Sequence, residues 1–229
     1  MNPLLIVSSI ILTIGAYSLS RFIFLRCNKH PLLNVLFLST FLLLSCYVLA
    51  ILPMMSIFLA KILSLTFWGL STVALGVPLF KNRLVLKKYI KSIFIGILLG
   101  SLSAMTTAVL IGKFTGLSRT MIMSLAPKSV TIPIAIEIAR YIGGDPTLVA
   151  IFVVVTGLVG SVVGPTLLTR LKVTDPVARG IALGTAGQGQ GTAVAMLEGE
   201  MQGAMAGLAM ALAGVLTSLI APMYLSLIA

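Results

Sequence analysis

Uninterrupted apolar runs of about 20 residues constrain this chain more than any other feature, because a helix of that length matches the hydrocarbon core of a bilayer. Six stretches reach it: 3–24, 31–52, 61–80, 89–112, 146–169 and 201–228. Composition closes off the soluble alternative. The 229 residues are 59% hydrophobic and 9% charged, whereas a soluble domain carries about 25% charged residues. The reading is an all-α polytopic membrane protein with about six transmembrane helices. Stretch 3–24 has no basic leader and exceeds a signal-peptide core in length, so it reads as a retained first span.

Sixteen basic residues against five acidic ones give a net charge of +11. That excess also arises in membrane proteins with short loops, whose cytoplasmic loops collect Lys and Arg. No basic stretch is interleaved with aromatics, so nucleic acid is not an expected partner. Cys27 and Cys46 read as a free thiol and a core thiol, with no disulfide implied.

Two further stretches, 117–142 and 176–198, are helix-like but interrupted by polar and Gly/Pro clusters. The basic loops decide how they thread. Arg21, Arg26 and Lys29 fall in 21–30. Lys81, Arg83, Lys87, Lys88 and Lys91 fall in 81–91, and Arg170, Lys172 and Arg179 in 170–179. With these loops inside, the N-terminus lies outside, and span 89–112 exits to the face where span 146–169 begins. Stretch 117–142 then starts and ends outside, while 176–198 dips in from the cytoplasm and returns. Arms of about 10 residues, about 15 Å of helix, bring each tip near the middle of a core about 30 Å thick. Two opposed re-entrant or broken helical hairpins of this kind indicate an inverted-repeat transporter with its site at the midplane. The tips should then lie side by side. The competing reading takes both stretches as ordinary crossings, which puts loop 170–179 outside against its basic residues.

The pairs Gly96/Gly100, Gly160/Gly164 and Gly203/Gly207 give small-xxx-small faces, a helix-packing signal without chemical content. Chemistry is concentrated at the two tips. In "APKSVTIP", residues 126–133, Pro127 ends the first arm and Ser129 is a competent N-cap for the second. Thr131 follows. A helix N-terminus favours an anion, and Lys128 adds a full charge at the same place. A lysine inside the membrane costs several kcal/mol unless paired or hydrated. Its partner is either a buried carboxylate, Glu137 first among them, or a mobile anion. The second tip, "GTAGQGQGTA" at 184–193, is too rich in glycine for a good continuous helix. It offers neutral donors and acceptors from Thr185, Gln188, Gln190 and Thr192. It is a poor phosphate loop, since no Gly-Lys-Ser/Thr follows. No paired-carboxylate site, Cys/His metal cluster or Ser/His/Asp set is present, and His30 is the only histidine. Neither an enzyme nor a cofactor or metal is expected.

The stretches "LAPKSVTIPIAIEIARYIGG", "DPVARGIALGTAGQGQGTA" and "EGEMQGAMAGLAMALAGVLTSLIAP" resemble the LrgB/CidB family, as do "PLLN" at 31–34 and "VALGVPLF" at 73–80. Members of that family are described as antiholin-like or murein-hydrolase regulators, and a plastid glycolate/glycerate translocator contains the same domain. The resemblance covers the whole chain as a single membrane domain, 1–112 forming a helical scaffold and 113–229 carrying the hairpins. It implies a multi-pass protein of the bacterial inner membrane that moves small monocarboxylates such as pyruvate, glycolate or glycerate. It also implies an LrgA/CidA-like small membrane partner. A homo-oligomer is expected, a dimer first. The candidate substrate-binding set is Lys128, Ser129, Thr131, Thr185, Gln188, Gln190 and Thr192, with Asn34 from "PLLN". Two positions depart from the family pattern. The usual histidine of the second tip is Gln188, which cannot carry a proton, and the usual proline after "PLLN" is Val35. Two other functions compete with a carrier: an antiholin-like assembly without its own transport cycle, and a channel. A holin needs only spans that associate, whereas this chain also holds two broken segments and a buried lysine.

Overall fold

The computed structural model describes residues 3–26, 38–39, 41–43, 45 and 80–228, and every regular element among them is helical. The chain divides into two compact units, Met1–Ala74 and Leu75–Ala229. In the first, α1 (Pro3–Arg26) is a helix of 24 residues over the first apolar run. All but Phe80 of the expected span 61–80, most of 31–52, and Asn34 with its "PLLN" stretch lie outside the described residues.

Among the described residues of the second unit, six helices follow Asn82: α2 (Arg83–Phe114), α3 (Arg119–Leu125), α4 (Ile132–Ile142), α5 (Pro146–Arg170), α6 (Pro176–Glu198) and α7 (Glu200–Ile228). Among the described residues three of these, α2, α5 and α7, are long and apolar enough to cross a bilayer. They cover the expected spans 89–112, 146–169 and 201–228. Aspartates start two of the helices. Asp145 accepts from the Thr147 and Leu148 amides at 2.8 and 2.9 Å, and Asp175 accepts from the Ala178 amide at 2.8 Å. Each satisfies N–H groups that a helix start leaves without partners.

Neither interrupted stretch is one straight helix. The first is α3, an irregular segment 126–131, and α4. The Asp145 amide donates to Ser124 Oγ at 2.8 Å, so the chain leaves the end of α3 and returns to it after α4. The first arm is therefore shorter than the helix expected from the sequence, and its lower part is not helical. The N-cap of α4 is Thr131 rather than Ser129, with a proline in the first turn. Pro133 explains the shift: proline is tolerated only where its missing N–H is not required, which places the helix start just before it. Thr131 holds the cap by backbone geometry, without a side-chain cap bond.

Helix α6 breaks at Gln188, whose φ of 50° and ψ of −132° interrupt two helical arms. Arg179 and Glu198 would stand about 28 Å apart on a straight helix, yet their side chains meet in a two-pronged pair at 2.7 and 2.8 Å. The arms therefore run back to back. Glycine permits it: a Cβ on Gly191 would overlap the Leu183 carbonyl, and one on Gly184 would overlap Ala206 of α7. Across from α6, α7 buries Gly203, Ala204, Ala206, Ala209 and Ala213, a face small enough for backbones to approach closely.

Arg179 ties the base of this hairpin together. Besides Glu198, it donates to the carbonyls of Val173 at 2.9 Å and Pro165 at 3.3 Å, and to Thr169 Oγ1 at 3.3 Å. The two charged side chains are only 13% and 20% exposed. Breaking such a pair from one side costs about 3–5 kcal/mol, whereas replacing both partners by apolar residues costs far less. Arg179→Ala and Glu198→Ala should each destabilise by about that amount. The double variant Arg179→Met/Glu198→Leu should lie closer to wild type than either, as measured by unfolding in mixed micelles.

Candidate functional site

The two hairpin tips meet. The Gln188 side-chain amide donates to the Ser129 carbonyl at 2.7 Å and to the Thr185 carbonyl at 3.2 Å. Beside this junction lies a cavity of about 850 Å³ between α2, α5, the first arm of α6 and the first tip. It runs along α2 from Tyr89 to Thr107, about 27 Å at 1.5 Å per residue. Asp175 and Tyr89 mark one end, and Lys128 and Ser129 the other.

Lys128 lines the cavity and, among the described residues, has one neutral partner, the Ala104 carbonyl at 3.3 Å. An ammonium has three donors, so most of its bonding capacity is turned toward the cavity. The chain has five acidic residues, and each is engaged elsewhere. Glu137 pairs with Arg140 at 2.9 Å on an exposed face, Glu198 with Arg179, and Glu200 with Lys81 at 3.4 Å. Asp145 and Asp175 cap helices. The alternative in which Glu137 neutralises Lys128 is thereby removed.

Three of the expected site residues, Lys128, Ser129 and Thr185, line the cavity. Thr185 is 8% exposed, and its hydroxyl has no hydrogen-bond partner among the described residues. A buried hydroxyl left unpaired costs free energy that a bound ligand could recover. Gln188 touches Ser129 from behind rather than lining the cavity. Gln190 packs its side-chain oxygen against Gly157 of α5, and Thr192 lies 4.0 Å from Met210 Sδ of α7. Thr131 caps α4. These last three do not reach the cavity.

The sequence reading missed the α2 wall. Gly96, Gly100, Ser103, Ala104 and Thr107 all line the cavity. For Gly96 and Gly100 the four-residue spacing was the available signal, read there as helix packing alone. Gly160 and Gly164 do pack, against Gly187 and Leu183 of the α6 hairpin. Gly96 has open space where a Cβ would sit, and Gly100 faces Thr185 Cγ2 at 3.3 Å.

A match to the LrgB-like family spans residues 13–227. The chain belongs to the LrgB-like family. A Bacillus subtilis (strain 168) protein with the name uncharacterized protein YwbG is 39% identical over 156 residues, 68% of this chain and 69% of its own length. The antiholin-like protein LrgB of Bacillus mycoides (strain KBAB4) is 34% identical over 158 residues, 69% of each chain. No solved structure matches significantly. The glycine-rich second tip is a sharp reversal whose backbone contacts exclude side chains at some positions and not at others. Gly191→Ala should destabilise by about 1–3 kcal/mol or more, the usual cost of overpacking. Gly189 has nothing within 4 Å of an added Cβ, so Gly189→Ala should be neutral or slightly stabilising. Thermal unfolding of both in detergent checks the contrast.

Proposed function

We propose that this LrgB-like protein carries small monocarboxylates, of the pyruvate, glycolate or glycerate class, across the bacterial inner membrane. The observation that carries the reading is the half-buried Lys128, which lines a cavity while every acidic residue of the chain is held in an ion pair or a helix cap. A substrate carboxylate supplies the missing counter-charge. The Thr185 hydroxyl, which lines the same cavity and has no partner among the described residues, offers a bond to a second substrate oxygen. In this reading the two hairpins are re-entrant, entering from opposite faces, with the N-terminus outside. The end of the cavity lined by Asp175 then lies toward the cytoplasm. An LrgA/CidA-like small membrane protein and a second copy of the chain are the proposed partners.

A second reading rests on the relatives. The name antiholin-like protein LrgB, carried by a relative 34% identical, speaks directly for a membrane protein that modulates cell lysis without its own transport cycle. It speaks for that role more directly than for any particular substrate. Uptake of labelled monocarboxylates into proteoliposomes, with and without the small partner, separates the two. Removing one charge from a desolvated pair costs about 2–5 kcal/mol. Lys128→Ala should therefore weaken uptake affinity by roughly thirtyfold or more. Lys128→Arg should be impaired as well, because a planar fork does not replace a compact ammonium. Absence of uptake by the wild type under every condition would leave the antiholin-like role. The threading has its own test. In a cysteine-free background, cysteines at Lys87 and Lys172 should label from the cytoplasm and one at Gly144 from outside.

A further inference from the structure

Gln188 occupies backbone that glycine usually takes. Its φ of 50° and ψ of −132° match the first central position of a type II′ turn, which is dominated by glycine. Glycine is abundant around it, at 187, 189 and 191, yet the position itself carries a glutamine. The side chain must contribute something that a glycine would lack.

What it contributes is a bond between the tips. Both acceptors of its amide nitrogen are backbone carbonyls, Ser129 at 2.7 Å and Thr185 at 3.2 Å, which fixes the nitrogen toward them. The amide oxygen is left buried without a partner among the described residues. A contact held on unfavourable backbone, with one polar atom unsatisfied, is closed but readily released.

Its position gives the release a consequence. The cavity is lined by α6 residues of the first arm and by Lys128 and Ser129, and by no residue from Gly187 onward. Past Ser129 the first tip is packed: Val130, the next residue, is 0% exposed and sits in the hydrophobic core. The Gln188–Ser129 bond thus stands where the cavity ends.

We propose that Gln188 is a positioning residue, the latch of a gate formed by the two hairpin tips. Its amide holds Ser129 while the cavity is empty. An anion at Lys128 presents a charged acceptor one residue away from Ser129. A charged oxygen binds an N–H more strongly than a neutral carbonyl does. The amide exchanges Ser129 for the anion, and the tips part. This mechanism rests on the anion reading of the cavity, but the latch is testable without transport.

The test uses the full chain with Cys27 and Cys46 replaced by serine and a Val130→Cys probe next to the Ser129 carbonyl that Gln188 holds, at a position that is 0% exposed while the tips are joined. A small charged thiol reagent is applied to inside-out vesicles. Losing one hydrogen bond should speed modification by roughly two- to tenfold in Gln188→Gly and in Gln188→Asn, whose amide is too short to span. Glycine accepts the unusual backbone, so Gln188→Gly should unfold at or above the wild-type temperature, whereas Gln188→Ala should unfold lower. A merely structural glutamine would move labelling and stability together in all three. Wild-type labelling in a folded Gln188→Gly protein would overturn the latch, as would fast labelling accompanied by a melting temperature as low as that of Gln188→Ala. Normal uptake by Lys128→Ala would instead sink the anion site and leave the latch standing.

Discussion

The reversal of α6 is possible because two stretches of backbone touch where a side chain would ordinarily intervene. Gly191 lies against the Leu183 carbonyl, and Gly184 against Ala206, with no space for a methyl group in either place. From that closeness the rest follows. The arms fold back to back, Arg179 reaches Glu198, and the break at Gln188 is carried to the first tip. Without the reversal the second tip would continue as helix, and the cavity would have no end wall. Small residues at helix contacts are the usual means of close packing in membranes, where lipid offers no hydrophobic drive to association.

Charge is distributed by the same geometry. Five carboxylates are too few for sixteen basic residues, and the fold assigns each one to a cap or a partner. The base of the second hairpin receives a buried, two-pronged ion pair, which suits a fixed joint. The first tip receives a lysine that, among the described residues, has a single long bond to a carbonyl. A rigid base and a lightly held tip lie at opposite ends of one assembly. That contrast underlies the reading of the tips as the moving part and Arg179 as the anchor.

Much of the fold was legible because its signals are local. Apolar runs mark α2, α5 and α7, and Pro127 and the glycines at 184–191 mark the interruptions. The helix start at Thr131 was misread by two residues, because a hydroxyl at 129 and a proline at 133 give competing local signals and the proline prevails. The site was legible only in part. Lys128, Ser129 and Thr185 were recognised as polar residues at broken segments, and they share the cavity. Gln190 and Thr192 carry the same kind of signal but turn toward α5 and α7. Which side of a glycine-rich turn a side chain faces depends on neighbours remote in sequence. The α2 wall was missed for a related reason: glycines at helical spacing look alike whether they meet another helix or open space.

The sequence by itself determined the helical class of the protein, the placement of the long apolar helices α2, α5 and α7, and the presence of a charge too costly to leave unexplained. Those properties follow from length, hydropathy and the behaviour of proline, each of which acts within a few residues. Tertiary structure decided which partner that charge has. Glu137 sits nine residues after Lys128 and was the natural candidate, but α4 directs it to Arg140 on an exposed face. Tertiary structure also joined Gln188 to Ser129, 59 residues apart in the chain. Pairings at that separation depend on how whole helices pack, and no local preference encodes them.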